Sequence, residues 1–203
     1  MWDATEAIDF FMQRQACQKW RKNFRHSMRL ESLEARTVLD STVVFNELMY
    51  HPADDSGMPE WIELYNQMSV NVDLTGWGID GGISYEFPDG TIVPPDNYLV
   101  VTANPQELGN QTGFSDSLGP FTGQLSNSGE ELRLLNNNDR VMNRVDYRDG
   151  GDWPVGPDGS GFSLAKQDET TASASPANWT TSLQSGGTPG GINFTPTAQP
   201  TTE

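Results

Sequence analysis

From position 41 onward the chain is a succession of short runs in which apolar and polar residues alternate, each cut off by Gly, Pro, Asn or Asp. Side chains that alternate with period two suit the pleat of a strand and cannot line one face of a helix. The runs are Thr42–Tyr50, Glu60–Asn66, the Val70/Val72/Leu74 stretch, Ile83–Phe87, Thr91–Val93, Tyr98–Thr102, Glu131–Asn136 and Arg140–Tyr147. Eight or nine strands at this spacing predict an all-β sandwich or barrel. Glu60–Asn66 reads as half-buried, with Trp61, Glu63 and Tyr65 opposite Ile62 and Leu64. Tyr98–Thr102 is apolar enough for a central strand. Asn104–Pro120 reads as loop, and Asn136–Asp139 as a hairpin turn, because Asn and Asp tolerate positive φ. Beyond Tyr147 the period fades. Trp153, Phe162, Leu164 and Trp179 then read as spaced anchors on an extended return path. Gly187-Thr188-Pro189-Gly190 has the turn chemistry to close the domain.

The first 40 residues differ in kind. Residues 3–30 are predicted helical, with Asp3 as cap and Glu6 as its capping-box partner. Ala16, Cys17, Trp20, Phe24 and Met28 share one face, and Arg14, Arg21, Lys22, Arg25 and Arg29 gather on the other. Such a basic amphipathic leader suits contact with an anionic membrane or a targeting role; the plainer alternative is a poorly ordered leader with helical propensity. The organisation expected is therefore a leader over 1–40, a sandwich over 41–195 and a Thr/Pro-rich tail over 196–203.

Charge narrows the partners. The formal net charge is -16, yet residues 1–40 hold seven of the twelve bases and six of the 28 acids, leaving five bases and 22 acids beyond. A body this acidic repels phosphate backbones, so nucleic acid is not expected as a partner. It favours solubility, cationic partners or divalent ions. The single cysteine, Cys17, excludes a disulfide framework within the chain. No apolar run approaches the roughly 18 residues of a spanning helix.

Catalytic signatures are sparse. His51 is the one histidine beyond the leader, and no G-x-S-x-G, P-loop or H-E-x-x-H occurs. No catalytic residue and no cofactor is expected. Glu47 and Glu63 fall inside predicted strands, where they either face solvent or form a buried acid pair or cation site. Asp146, Asp149, Asp152 and Asp158 lie in a Gly-rich stretch whose oxygen ligands suit calcium, although turn-forming Asp beside Gly explains them equally. Trp61, Trp77, Trp153 and Trp179 serve either as core or as a sugar-stacking platform, with Trp153, next to Pro154, the best placed for an exposed binding role.

Several blocks, in order, carry a family resemblance. They are Val43–Met49 (VVFNELM), Glu60–Asn66 (EWIELYN), Asp73–Trp77 (DLTGW), Tyr98–Thr102 (YLVVT), Leu125–Leu135 (LSNSGEELRLL), Asp152-Trp153-Pro154 and Gly187–Asn193 (GTPGGIN). Together they resemble the lamin-tail domain over about residues 41–195. Leu33-Glu34-Ala35-Arg36 with Leu39 is similar to the LEPR-XLL motif of exported bacterial proteins, with Ala35 in place of proline. The resemblance implies an immunoglobulin-like β-sandwich without catalytic residues, located outside the cell or on its surface and binding a protein or surface partner. Two alternatives remain open: a carbohydrate-binding or calcium-dependent adhesive domain, and the N-terminal part of a larger secreted enzyme.

Overall fold

The structure, a computed structural model, describes residues 41–195. The expected leader, the LEPR-XLL-like segment and the tail lie outside the described residues.

The strands in chain order are β1 (Val43–Met49), β2 (Trp61–Asn66), β3 (Val72–Asp73), β4 (Gly78–Asp80), β5 (Ile83–Glu86), β6 (Ile92–Val93) and β7 (Asn97–Thr102). Helix α1 (Pro105–Thr112) follows, then β8 (Ser117–Leu118), β9 (Thr122–Gly123), β10 (Gly129–Leu135), β11 (Val141–Arg148), β12 (Leu164–Lys166) and β13 (Trp179–Thr181). They form a six-stranded sheet ordered β13-β12-β1-β2-β7-β8, a five-stranded sheet ordered β11-β10-β4-β5-β9 and a small β3-β6 pair. All pairings are antiparallel except β7 with β8.

The two large sheets share one core. Phe45, Leu48, Ile62, Leu64 and Val101 from the first pack in one cluster with Ile79, Ile83, Leu132, Leu134, Val145 and Tyr147 from the second. The Phe45 N–H donates to Asn143 Oδ1 across the sandwich at 3.1 Å. The all-β sandwich expected from the alternating runs is therefore the fold found, and it is consistent with an immunoglobulin-like architecture.

Three expectations change. Asn104–Pro120 is not loop throughout, because α1 lies within it. Asn104 Oδ1 accepts from the Glu107 N–H at 3.2 Å, Pro105 opens the helix, and Gly113 ends it at φ 80°. Second, β2 is buried along its whole length instead of on alternate residues. Its outward face is covered by a satellite cluster of Met49, Trp61, Val100 and Leu108, joined by Met58 and Phe114, so α1 roofs that side of the sheet. Third, the stretch beyond Tyr147 is not only an extended return, since β12 and β13 extend the first sheet beside β1.

Candidate functional site

Strand β1 is out of step with a plain period of two. Its pairing with β2 shifts register between Phe45 and Glu47, leaving Asn46 as an extra residue. This bulge keeps both Phe45 and Leu48, three residues apart, on the core face. It also places Asn46 and Glu47 together on the opposite face, with Glu47 directly across from Glu63 of β2. Directly opposed residues stand within reach of each other's side chains. Both carboxyls are fully buried.

What buries them is the end of the described chain. After β13 the backbone turns along residues 161–163: Ser182 N–H donates to Ser163 O at 2.9 Å and Gly186 N–H to Gly161 O at 2.8 Å. The segment then crosses the acid pair. Thr188 N–H lies 3.1 and 3.2 Å from the two oxygens of Glu47, and Thr188 Oγ1 lies 2.7 Å from Glu47 Oε2. Ser163 Oγ bonds to Glu47 Oε1. Glu63 accepts from the Gly190 N–H at 2.6 Å and from Asn46 Nδ2 at 2.8 Å. Asn193 anchors the far end, its Nδ2 donating to the carbonyls of Asn46 at 3.2 Å and Lys166 at 3.0 Å.

Gly187 shows how close the approach is. It has φ +73°, and a Cβ there would stand 2.6 Å from Glu47 Oε1, 2.7 Å from Trp61 Cζ2 and 2.8 Å from Ser163 Oγ. Only glycine fits both the left-handed backbone and the space.

The electrostatics follow from the burial. Loss of water raises the Glu47 pKa to about 7, although the bonds from Ser163 and Thr188 pull the other way. Glu63 is raised well above the ordinary carboxyl range, first by burial and then by the facing Glu47, against the opposing bonds from Asn46 and Gly190. Two like charges in this position disfavour each other, so the pair tends to hold a proton.

Beside this closing segment lies a cleft of about 700 Å³, lined on one side by Gln184–Pro189 and Ile192 and on the other by Met58, Thr112 and Phe114. Among the described residues its lining carries no ionisable side chain. Many of its polar groups are engaged internally: Thr112 Oγ1 donates to Leu108 O, Ser185 Oγ to Gly161 O and Gln184 Nε2 to Gly187 O.

The residues singled out from sequence fall as follows. Asp146, Asp149, Asp152 and Asp158 are all exposed, but Asp146 takes Arg148 at 2.6 Å and Asp158 takes His51 Nδ1 at 2.5 Å. Among the described residues, no three Asp, Glu, His or Cys side chains gather closely enough to hold a metal ion. Ser160, two positions beyond Asp158, donates to the Gly156 carbonyl and not to His51. Trp153 is a correction: it is only 7% exposed and tilts against Trp179, ring centroids 6.1 Å apart, so its face is spent on the core instead of being offered to a sugar. Trp61 and Trp179 are buried too, while Trp77 packs half-buried at the core's edge.

Glu47, Glu63 and the GTPGGIN block were each legible alone, and the structure brings them together. Asn46, Ser163 and Asn193 were not anticipated as parts of one network. The signal available for Asn46 was the three-residue step from Phe45 to Leu48, which breaks the strand's alternation.

The Lamin Tail Domain family model matches residues 39–149. No curated protein matches the chain. Among solved structures, a DUF4876 family protein from Bacteroides thetaiotaomicron VPI-5482 is similar at 11% identity and a TM-score of 0.44, over 70% of this chain and 68% of that one.

Proposed function

Taking as premise that this chain belongs to the lamin tail domain family, we propose that it is a non-catalytic interaction module of an exported or cell-surface bacterial protein, binding a protein partner through the cleft beside the closing segment. One observation carries this reading. The acid pair Glu47/Glu63, the obvious source of proton-transfer chemistry, is sealed beneath the chain's own backbone and engaged by internal donors. General acid–base work requires such a group to reach a substrate proton within hydrogen-bond distance. Among the described residues, the groups these two reach are Ser163, Thr188, Gly190 and Asn46.

The cleft supplies what an interaction site needs. Phe114, Met58 and Ile192 offer apolar contact, and Ile192 is 41% exposed. The acidic body around it adds preference for a cationic partner.

The test is binding by the full chain to a protein array and a glycan array, each with calcium and with EDTA. Binding to protein that persists in EDTA and weakens at least tenfold in Ile192→Asp is expected. Glycan binding, or binding that requires calcium, would favour an adhesive domain instead. Turnover of peptide, ester or glycoside substrates would overturn the reading.

A further inference from the structure

The hydrogen bonds around Glu47 leave one proton short. Thr188 Oγ1 lies 2.7 Å from Glu47 Oε2 and 3.0 Å from Asn193 Oδ1. The Asn193 amide cannot be turned to resolve this, because its Nδ2 already donates to two carbonyls. A threonine hydroxyl has one proton to give and two lone pairs with which to accept. A proton on Glu47 Oε2 completes the set: Glu47 donates to Thr188, and Thr188 donates to Asn193. Independently, Glu47 faces Glu63 across a strand pair with both side chains fully buried, an arrangement that penalises double ionisation.

We propose that residues 184–193 are a proton-dependent latch: the segment closes over the acid pair when that pair holds a proton, and loosens when the proton is lost. The latch also forms one wall of the cleft, so the shape of that cleft follows pH whatever occupies it. The charged and titratable groups around the pair are few. β2 contributes Glu63 itself, β7 contributes Tyr98, and the loop after β12 contributes Glu169, which acts on Glu63 as a further negative charge. Lys166 of β12 directs its Nζ to the carbonyls of Glu169 and Thr171, while its own carbonyl receives Asn193. The latch itself, Gln184 to Asn193, contains no ionisable side chain.

The direction follows from linkage. With the latch open, water reaches the pair and Glu47 titrates near its ordinary 4.5; closed, it holds its proton up to about 7. Closure therefore takes up a proton between those values, is favoured at low pH and weakens as pH rises.

Amide hydrogen exchange of Thr188 and Gly190 in the full chain, measured from pH 5 to 8 and normalised for the intrinsic rate, tests this. Protection should fall by up to about tenfold per pH unit between pH 5 and 7 for each proton released. Protection of Ile62 in β2 and Leu134 in β10, strands flanked on both sides, should not fall with it. In Glu47→Gln, whose amide can donate to Thr188 as the protonated acid does, the slope should flatten with the latch still protected. Glu63→Gln should flatten it as well. Wild-type protection that is constant over this range would overturn the latch, as would strand amides opening in step, or an unchanged slope in either variant that folds.

Discussion

At the scale of single residues, the closing segment is governed by which positions can lack a side chain. Gly187 and Gly151 share a φ of +73°, yet a Cβ at Gly187 meets three atoms under 3.0 Å and one at Gly151 meets nothing within 4 Å. The backbone cost is thus common to both, and the packing cost belongs to one. Gly151→Ala should cost about 1–2 kcal/mol, the ordinary penalty for a left-handed alanine. Gly187→Ala should add about 1–3 kcal/mol of overpacking to that. Urea midpoints for the two variants measure the difference directly, and equal losses would show that the segment gives way easily around its glycine. Trp61, next to that glycine, was readable as a strand residue, but its burial was not. Alternation along β2 gives no hint that a second layer covers the outward side, since that layer joins Met58 to Leu108 and Phe114, which are distant in sequence.

At the scale of elements, the strands found most easily from sequence are those that pair with long partners. β1, β2, β7, β10 and β11 each have six or more residues, long enough to show their period. β12 and β13 have three residues each, too few for any alternation to register. Helix α1 escaped for the opposite reason: Leu108 is its one buried residue, so it has no apolar stripe. Its ends were written plainly all the same, in Asn104-Pro105 before it and Gly113 after it. The β1 bulge has the greatest consequence among these features. Deleting Asn46 would restore a strict period with Phe45 and Leu48 two apart and both still on the core face, but it would take away the amide that donates to Glu63 and the carbonyl that receives Asn193. The expected loss is about 1–3 kcal/mol, that of leaving buried polar groups without their partner. Circular dichroism melting of the deletion variant checks this; a change below about 1 kcal/mol would mean that Glu63 and Asn193 find other partners.

At the scale of the whole molecule, the acid pair is one instance of a general excess of negative charge. Arg133 meets Asp80 through two hydrogen bonds of 2.9 and 2.8 Å, and Arg148 meets Asp146 at 2.6 Å, both on the surface. The Arg133–Asp80 side chains are 43% and 36% exposed, so solvent screens the pair, and Asp80→Ala should cost no more than about 1 kcal/mol. The larger effect is mutual repulsion among the acids, which salt relieves. Raising ionic strength from 0.02 to about 0.5 M should therefore raise the melting temperature at pH 8, because screening of many like charges outweighs the weakening of a few exposed pairs. A melting temperature that falls with salt would mean that the surface pairs dominate. Composition announced this property from the outset, whereas the burial of two of the acids required the fold.

The bonds from Thr188 and Gly190 that shut away Glu47 and Glu63 join positions separated by 141 and 127 residues. A ribosome making this chain delivers both acids well before their cover. A polypeptide cut short before Gly187 would leave both carboxyls open to water and ionised, on a sheet whose outer face still lacked its final contacts. The acid pair is thus the part of the sandwich that waits longest for its cover, dry only once residues 187–193 have settled over it.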